Sequence, residues 1–524
     1  MRKHKLLTAT ALNLTMGLLA VAGMSGQALA ATTINTATTA PVKTSVAGDL
    51  TVDTAGSITV TSGNAITVDS NNSVTLKGKI DMLKSAAGST GILIDGGRTG
   101  DLTVSANITV TDDYTPVDTT KAADGTAAPD GIVEAPFADS VARYGIHSTG
   151  TTPFIGNVIV NSGSTIAVDG KNAYGIRFEN NIQGNFTMDG TITMNGDNNT
   201  AVSLENGATG NVYLSGTINS HGKDSKAVNL SGNFGGSVII DGAYTGTGYA
   251  TTSSLSSSVL KTVLATPEDL YQSGPLVDIS GNLAKGLLIG STVTRDETTD
   301  ANKANTDQDG DGNADTTQST ATLTNYGSAP ALRIASGTSD ITLGGLVYGT
   351  TALNPPAVNY GLLVRGSITG SALYQNVDSV AVQLGGLGHA VTIANGIGIK
   401  GTVSSTAYGG NATALSVQSG ATTPLLDVQG TNSWYGVVGN NSHLNDHQWH
   451  HDHDLRNSRQ HHGPRHRYSV GRQPAQDQCR RRWGRLCRRY GIDRTCRGHT
   501  RPVEHPDEHH QQQHHQRHHN SLRR

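Results

Sequence analysis

The chain has 524 residues, 35% hydrophobic and only 4% aromatic, with a formal net charge of −3. That charge pools two unlike parts: residues 31–442 carry 18 basic against 33 acidic residues, a balance of −15, while residues 443–524 carry 17 arginines against 8 acidic residues. An acidic body excludes nucleic acid as its partner, because phosphates are repelled. All three cysteines lie beyond residue 442, so the body has no disulfide framework and depends on packing and hydrogen bonds. So few aromatics exclude a thick globular core and favour a narrow, stacked interior of small and β-branched residues.

Residues 1–30 read as a secretory signal. Arg2-Lys3-His4-Lys5 supplies positive charge, residues 6–22 form an apolar run, and Ala28-Leu29-Ala30 is an A-x-A cleavage site. Thr8, Thr10, Asn13 and Thr15 interrupt the run, which disfavours a transmembrane anchor. The mature chain is expected to be exported by the Sec pathway.

Residues 31–442 read as a repeat protein. Apolar pairs recur at a spacing of 26 in three series. The first is Phe186-x-Met188, Val212-x-Leu214 and Val238-x-Ile240; the second is Ile166-x-Val168, Ile192-x-Met194 and Ile218; the third is Ile176-x-Phe178, Val202-x-Leu204 and Val228-x-Leu230. Gly170, Gly196 and Gly222 keep the step, as do Asn172, Asn198 and Asp224, residue types suited to positive φ. Alternation of apolar and polar residues predicts strands with one buried face, and three strands per unit predict one coil of an all-β solenoid. A single coil cannot bury its inner face, so coils stack at roughly 4.8 Å. Equivalence of consecutive repeats points to parallel strands.

Looser copies occur at Gly91-Ile92-Leu93-Ile94, Tyr144-Gly145-Ile146, Ala331-Leu332-Arg333-Ile334, Tyr360-Gly361-Leu362-Leu363-Val364 and Ala414-Leu415-Ser416-Val417. Trp434-Tyr435-Gly436-Val437 reads as the start of another. The expectation is about fifteen coils, a stack on the order of 70 Å.

Three stretches break the rhythm and read as insertions: about 112–140, 249–272 and 295–320. The first is rich in Pro, Ala and Asp. The second carries Leu255, Val259, Leu260, Val263 and Leu264 at helical spacing. The third contains Asp307, Asp309, Asp311, Asn313 and Asp315 around Gly312, an alternation of oxygen donors that can wrap Ca²⁺. It resembles the calcium loops of EF-hand, dockerin and thrombospondin-type repeats, but Gln318 stands where an EF-hand has its bidentate glutamate. The cation expected here is structural calcium.

Glu179 and Glu205 lie one repeat apart and would stack on adjacent coils. Two carboxylates roughly 5 Å apart can serve retaining glycoside hydrolysis. Both precede an asparagine at a turn, which favours structural repetition; the Asn172, Asn198 and Asp224 column reads as a hydrogen-bonded turn ladder. His147, His221 and His389 are isolated in the sequence. No G-x-S-x-G elbow, Gly-Asp-Ser-Gly segment, H-E-x-x-H or phosphate loop occurs, so no enzyme activity is expected.

From His443 onward the composition changes in a way the genetic code explains. Shifting the frame by one base turns His, Asp and Asn codons into Thr, Ile or Met codons. Applied to His443-Leu444-Asn445-Asp446-His447-Gln448-Trp449-His450, it returns the Thr/Ile/Gly idiom of the upstream chain. Residues 443–524 therefore read as an out-of-frame, disordered His/Arg-rich tail. In that case its histidine clusters, Arg480-Arg481-Arg482 and the scattered Cys479, Cys487 and Cys496 are incidental.

A signal peptide followed by Gly/Thr/Asn-rich coils such as GTITMNGDNNTAVSLENG looks like the passenger of a Gram-negative autotransporter. The likeness covers about 31–442 in texture and repeat grammar. It implies a right-handed parallel β-helix, translocated by a C-terminal β-barrel that the frameshift has removed. It also implies a surface protein for adhesion or aggregation, meeting an unidentified surface ligand or neighbouring cells. The intact parent is expected at the cell surface and outer membrane, and the truncated chain in the periplasm. The alternatives are a β-helical carbohydrate-active enzyme, such as a lyase or glycosidase, and a non-functional frameshifted product.

Overall fold

A computed structural model describes residues 30–112, 137–248, 274–290, 320–346, 359–408, 410–428 and 437–439. The signal segment, the 255–264 stripe, the calcium-type loop at 307–315 and the tail from 443 lie outside them.

Alternation along each strand drives the architecture. In the strand Thr191–Asn195, Ile192 and Met194 are fully buried, while Thr191, Thr193 and Asn195 face outward. Each strand pairs in parallel with its counterpart one coil away, for example Ile166 with Ile192 and Ile192 with Ile218. Inward residues therefore stack on like residues, and one continuous core runs from Val42 to Ala421. The described residues form the all-β solenoid expected, and the parallel topology holds in every pairing. Their one helix is the single turn Thr44–Ala47 near the first coil.

The strands fall into four sheets. Sheet I has 12 strands and begins at Thr32–Ile34; sheet II has 11 and begins at Ala37–Thr38; sheet III has 12 and begins at Val42–Lys43. The three 26-residue series fall on these sheets in that order. Sheet IV, with 8 strands beginning at Phe154–Ile155, corrects the expectation of three strands per coil. Most of its strands have two residues and one inward side chain, such as Phe154, Ile182 or Phe234, too short to show alternation. Among the described residues sheet I has twelve strands, about 50 Å along the axis, where about fifteen coils were expected for the chain.

The looser copies fall on sheet III, except Leu362–Val364, which belongs to sheet I. On sheet I the step of 26 holds from Phe186 through Val212 to Val238 and at no other described pairing. Val74 to Leu102 and Val158 to Phe186 are steps of 28, and Leu102 to Val158 is twice that, a jump that brackets residues 113–136. Similar jumps, Val238 to Leu287 and Ala243 to Thr322, bracket the other two insertions. A further break in the ladder's spacing, unanticipated from the sequence, falls between Leu343 and Leu362.

The phenylalanines are concentrated inside. Four of the five phenylalanines are buried, and Phe178 meets Phe154 and Phe186 edge-on at centroid distances of 6.0 and 6.3 Å. The turn column behaves as its residue types require: Asn172, Asn198 and Asp224 have φ of 51°, 55° and 56°. Gly222 at φ 136° admits no side chain, since a Cβ there would lie 1.9 Å from the Gly196 carbonyl oxygen.

Candidate functional site on the outer faces

Inward positions are committed to the core, so recognition must use the outward columns. On sheet III one column runs His147, Arg177, Ser203, Asn229, Asp278, Arg333, Gln383 and Ser416; another runs Tyr144, Tyr174, Thr200 and Lys226. Tyr144 and Tyr174 stack at 5.6 Å with planes 5° apart, His147 stacks on Tyr144 at 4.0 Å, and the Arg177 guanidinium lies 4.7 Å from the Tyr174 centroid.

Glu179 and Glu205 both close on Arg177. Glu205 accepts two hydrogen bonds, from Nε at 2.7 Å and NH2 at 3.2 Å, while Glu179 Oε1 lies 3.0 Å from NH1 and 3.0 Å from His147 Nε2. Burial works against charge on Arg177, but the Glu205 carboxylate overcomes it and holds the pKa above its ordinary value. Burial likewise raises Glu179, but the bond from His147 and the nearby Arg177 win, leaving it lower than usual. Retaining glycoside hydrolysis needs one carboxyl held protonated as the acid. Here His147 and Arg177 push Glu179 the other way, and Arg177 engages both carboxylates as an ion ladder.

Farther along the same face, Asp278 accepts from Arg333 Nε and NH2, both at 2.8 Å, and from Lys226 Nζ at 2.6 Å. Burial raises its pKa, but the two cations hold it below the usual range. The three histidines expected to be isolated have partners across coils. His147 meets Glu179, His221 Nδ1 lies 3.2 Å from Asn195 Oδ1, and His389 Nδ1 lies 3.3 Å from Asp340 Oδ1. Burial depresses the pKa of both His147 and His221.

Two arrangements were not legible in the sequence. An exposed side-chain ladder marks the corner between sheets IV and I: Asp101, Asn157, Asn185 and Asn211 each accept, through Oδ1, the backbone N–H of Asn157, Asn185, Asn211 and Ser237 respectively. It lies in a different column from Asn172, Asn198 and Asp224. The fully buried Arg143 meets Asp112 Oδ1 at 2.7 Å and donates to the carbonyl oxygens of Asp169 and Ser85. Asp112 also accepts from the Ala138 N–H at 2.6 Å, which brings residues 112 and 138 together. Burial, the largest influence, raises the Asp169 pKa.

On sheet I the outward column changes character. Thr103 and Thr187 lie in its earlier strands, while Tyr213, Ile239, Leu288 and Leu363 follow one another in register. Leu346 and Tyr360 pack over these last residues as a second apolar cluster. A shallow depression of about 340 Å³ on sheet IV, lined by Phe234, Leu283 and Thr342 among others, carries no titratable group. Among the described residues, no three His, Cys, Asp or Glu side chains are placed to hold a metal ion. The calcium-type residues Asp307, Asp309, Asp311, Asn313 and Asp315 lie outside that set.

No family model, curated protein or solved structure matches the chain.

Proposed function

We propose that the chain is an exported β-solenoid of the autotransporter-passenger kind, making adhesive or aggregating contacts with a surface ligand or neighbouring cells. The observation that carries this reading is the outward repetition: the same polar positions recur on successive strands of one sheet, at a spacing fixed by the ladder. Weak contacts repeated on a rigid scaffold act together, because once one forms the rest bind at high effective concentration. The resemblance of the signal segment and the coils to autotransporter passengers supports the same reading. A carbohydrate-active enzyme is less favoured, since Glu179 and Glu205 are both engaged by Arg177.

The test is adhesion of latex beads coated with the purified full chain. The reading predicts that they bind cells or one another, whereas albumin-coated beads do not. If they do neither, the reading fails. The candidate calcium loop has its own test: added Ca²⁺ should raise the thermal midpoint, and Asp309→Asn with Asp311→Asn should abolish that rise.

A further inference from the structure

Sheet II presents a face unlike the others. Two of its columns of outward parity run in register through seven successive strands, beside a third, partly buried one that holds Asp169, Asn195, His221, Thr247, Tyr326, Ser371 and Thr406. One is Thr165, Thr191, Thr217, Ala243, Thr322, Ser367 and Thr402; the other is Ala167, Thr193, Asn219, Thr245, Thr324, Thr369 and Ser404. Eleven of these fourteen positions are Ser or Thr and none is charged. Ala243 and Thr322 are exposed and the rest half-exposed. Among the described residues, one side-chain hydrogen bond crosses the strip, between the Thr369 and Ser404 hydroxyls at 3.2 Å. Neighbouring hydroxyls repeat about 4.8 Å across strands and about 6.7 Å along them, over a length of about 30 Å.

We infer that this strip is a docking surface for a neutral polysaccharide. The inference rests on the adhesive reading above and names its ligand class. Each hydroxyl both donates and accepts, as sugar hydroxyls do, so a polyol can be met in many registers. Neutrality of the strip selects the partner. The −15 balance of residues 31–442 repels polyanions, and a polycation would be drawn to the acidic surfaces rather than to this face. Proteins generally dock through a core of aromatic or arginine anchors, and these fourteen positions include neither. The other broad faces are occupied: the outward charges of sheet III are paired with one another, and the apolar part of sheet I is covered by Leu346 and Tyr360.

The experiment is capture of the purified full chain on immobilised dextran and mannan, with anionic alginate beside them. Capture should occur on a neutral polymer and persist in added salt, since no charge pair is involved. Thr193→Asp with Thr324→Asp should reduce it by about tenfold or more, as the loss of cooperating contacts requires. Thr103→Asp with Thr187→Asp, the same charge on sheet I, should leave it intact. Thr193→Val with Thr324→Val, which keeps the branched shape and removes the hydroxyls, guards against loss through misfolding and should also weaken capture. The inference is overturned by capture on alginate alone, by none on either neutral polymer, or by equal loss with the sheet I control. It is also overturned if the strip variants abolish concentration-dependent self-association without any polysaccharide capture, which would assign the face to a second copy. Beads that adhere to cells yet ignore dextran, mannan and the strip substitutions would sink the inference and leave the adhesive reading standing. Capture without cell adhesion would do the reverse.

Discussion

Sheets II and III share a core, a strand direction and a register, yet their outer faces carry different chemistry. Sheet III places Arg177 between Glu179 and Glu205, and Asp278 between Lys226 and Arg333, so its charges answer one another within the face. Sheet II carries hydroxyls on successive strands, with the Thr369–Ser404 bond the one such link across its strip among the described residues. Parallel stacking explains both outcomes. It places each outward residue beside its counterpart on the next coil, so unlike residues become interaction partners and like residues become an array. The first pattern stabilises the molecule, and the second leaves its hydrogen-bonding capacity for something outside.

The sharpest way to separate interior from surface is Phe178→Ala. Phe178 is fully buried against Phe154 and Phe186, and its truncation is expected to cost about 3–5 kcal/mol in denaturant unfolding. It should weaken both faces together. Next comes Asp278→Ala, which leaves Lys226 and Arg333 facing each other without their shared anion. Because those two cations remain partly exposed, a loss of about 1–3 kcal/mol is expected, with polysaccharide capture unchanged. A comparable loss of capture would erase the distinction between the faces.

Acid should act through His147 on sheet III and His221 on sheet II. His147 and His221 titrate below the ordinary histidine value in the folded chain, so the unfolded chain takes up their protons first as pH falls. Stability is therefore full above about pH 6.5 and declines below it. Glu179 and Asp278, held below their ordinary values, extend the decline through the carboxylate range. Asp169, shifted upward, opposes that last part. Thermal midpoints from pH 8 down to about pH 4 check the trend, and His147→Gln should shallow its first part. The smallest effect belongs to Thr193→Val, expected within about 0.5 kcal/mol of the parent in unfolding while lowering capture.

The solenoid was legible because its inner face obeys one rule: Ile166, Ile192 and Ile218 stack, and any residue that did not would open a cavity. The turn residues Asn172, Asn198 and Asp224 were legible for a similar reason, since few residue types tolerate their φ. Sheet IV escaped because two residues show no alternation. Side-chain pairs between coils were harder to read. Glu179 is 32 positions from His147 and Arg143 is 31 from Asp112, and neither pair keeps the 26 step. The intervening turns and excursions change the count while leaving the coils aligned. The hydroxyl strip was visible as polar alternation, but its continuity depends on strands that insertions separate widely in sequence, such as Ala243 and Thr322.

The measurement that tests the central claim most directly is retention of beads carrying the full chain on a cell layer, read against the density of chain on the bead. Contact through repeated weak sites predicts adhesion that rises much more steeply than in proportion to density and collapses when the chain is diluted with albumin. Adhesion strictly proportional to density, or absent at every density, would contradict it.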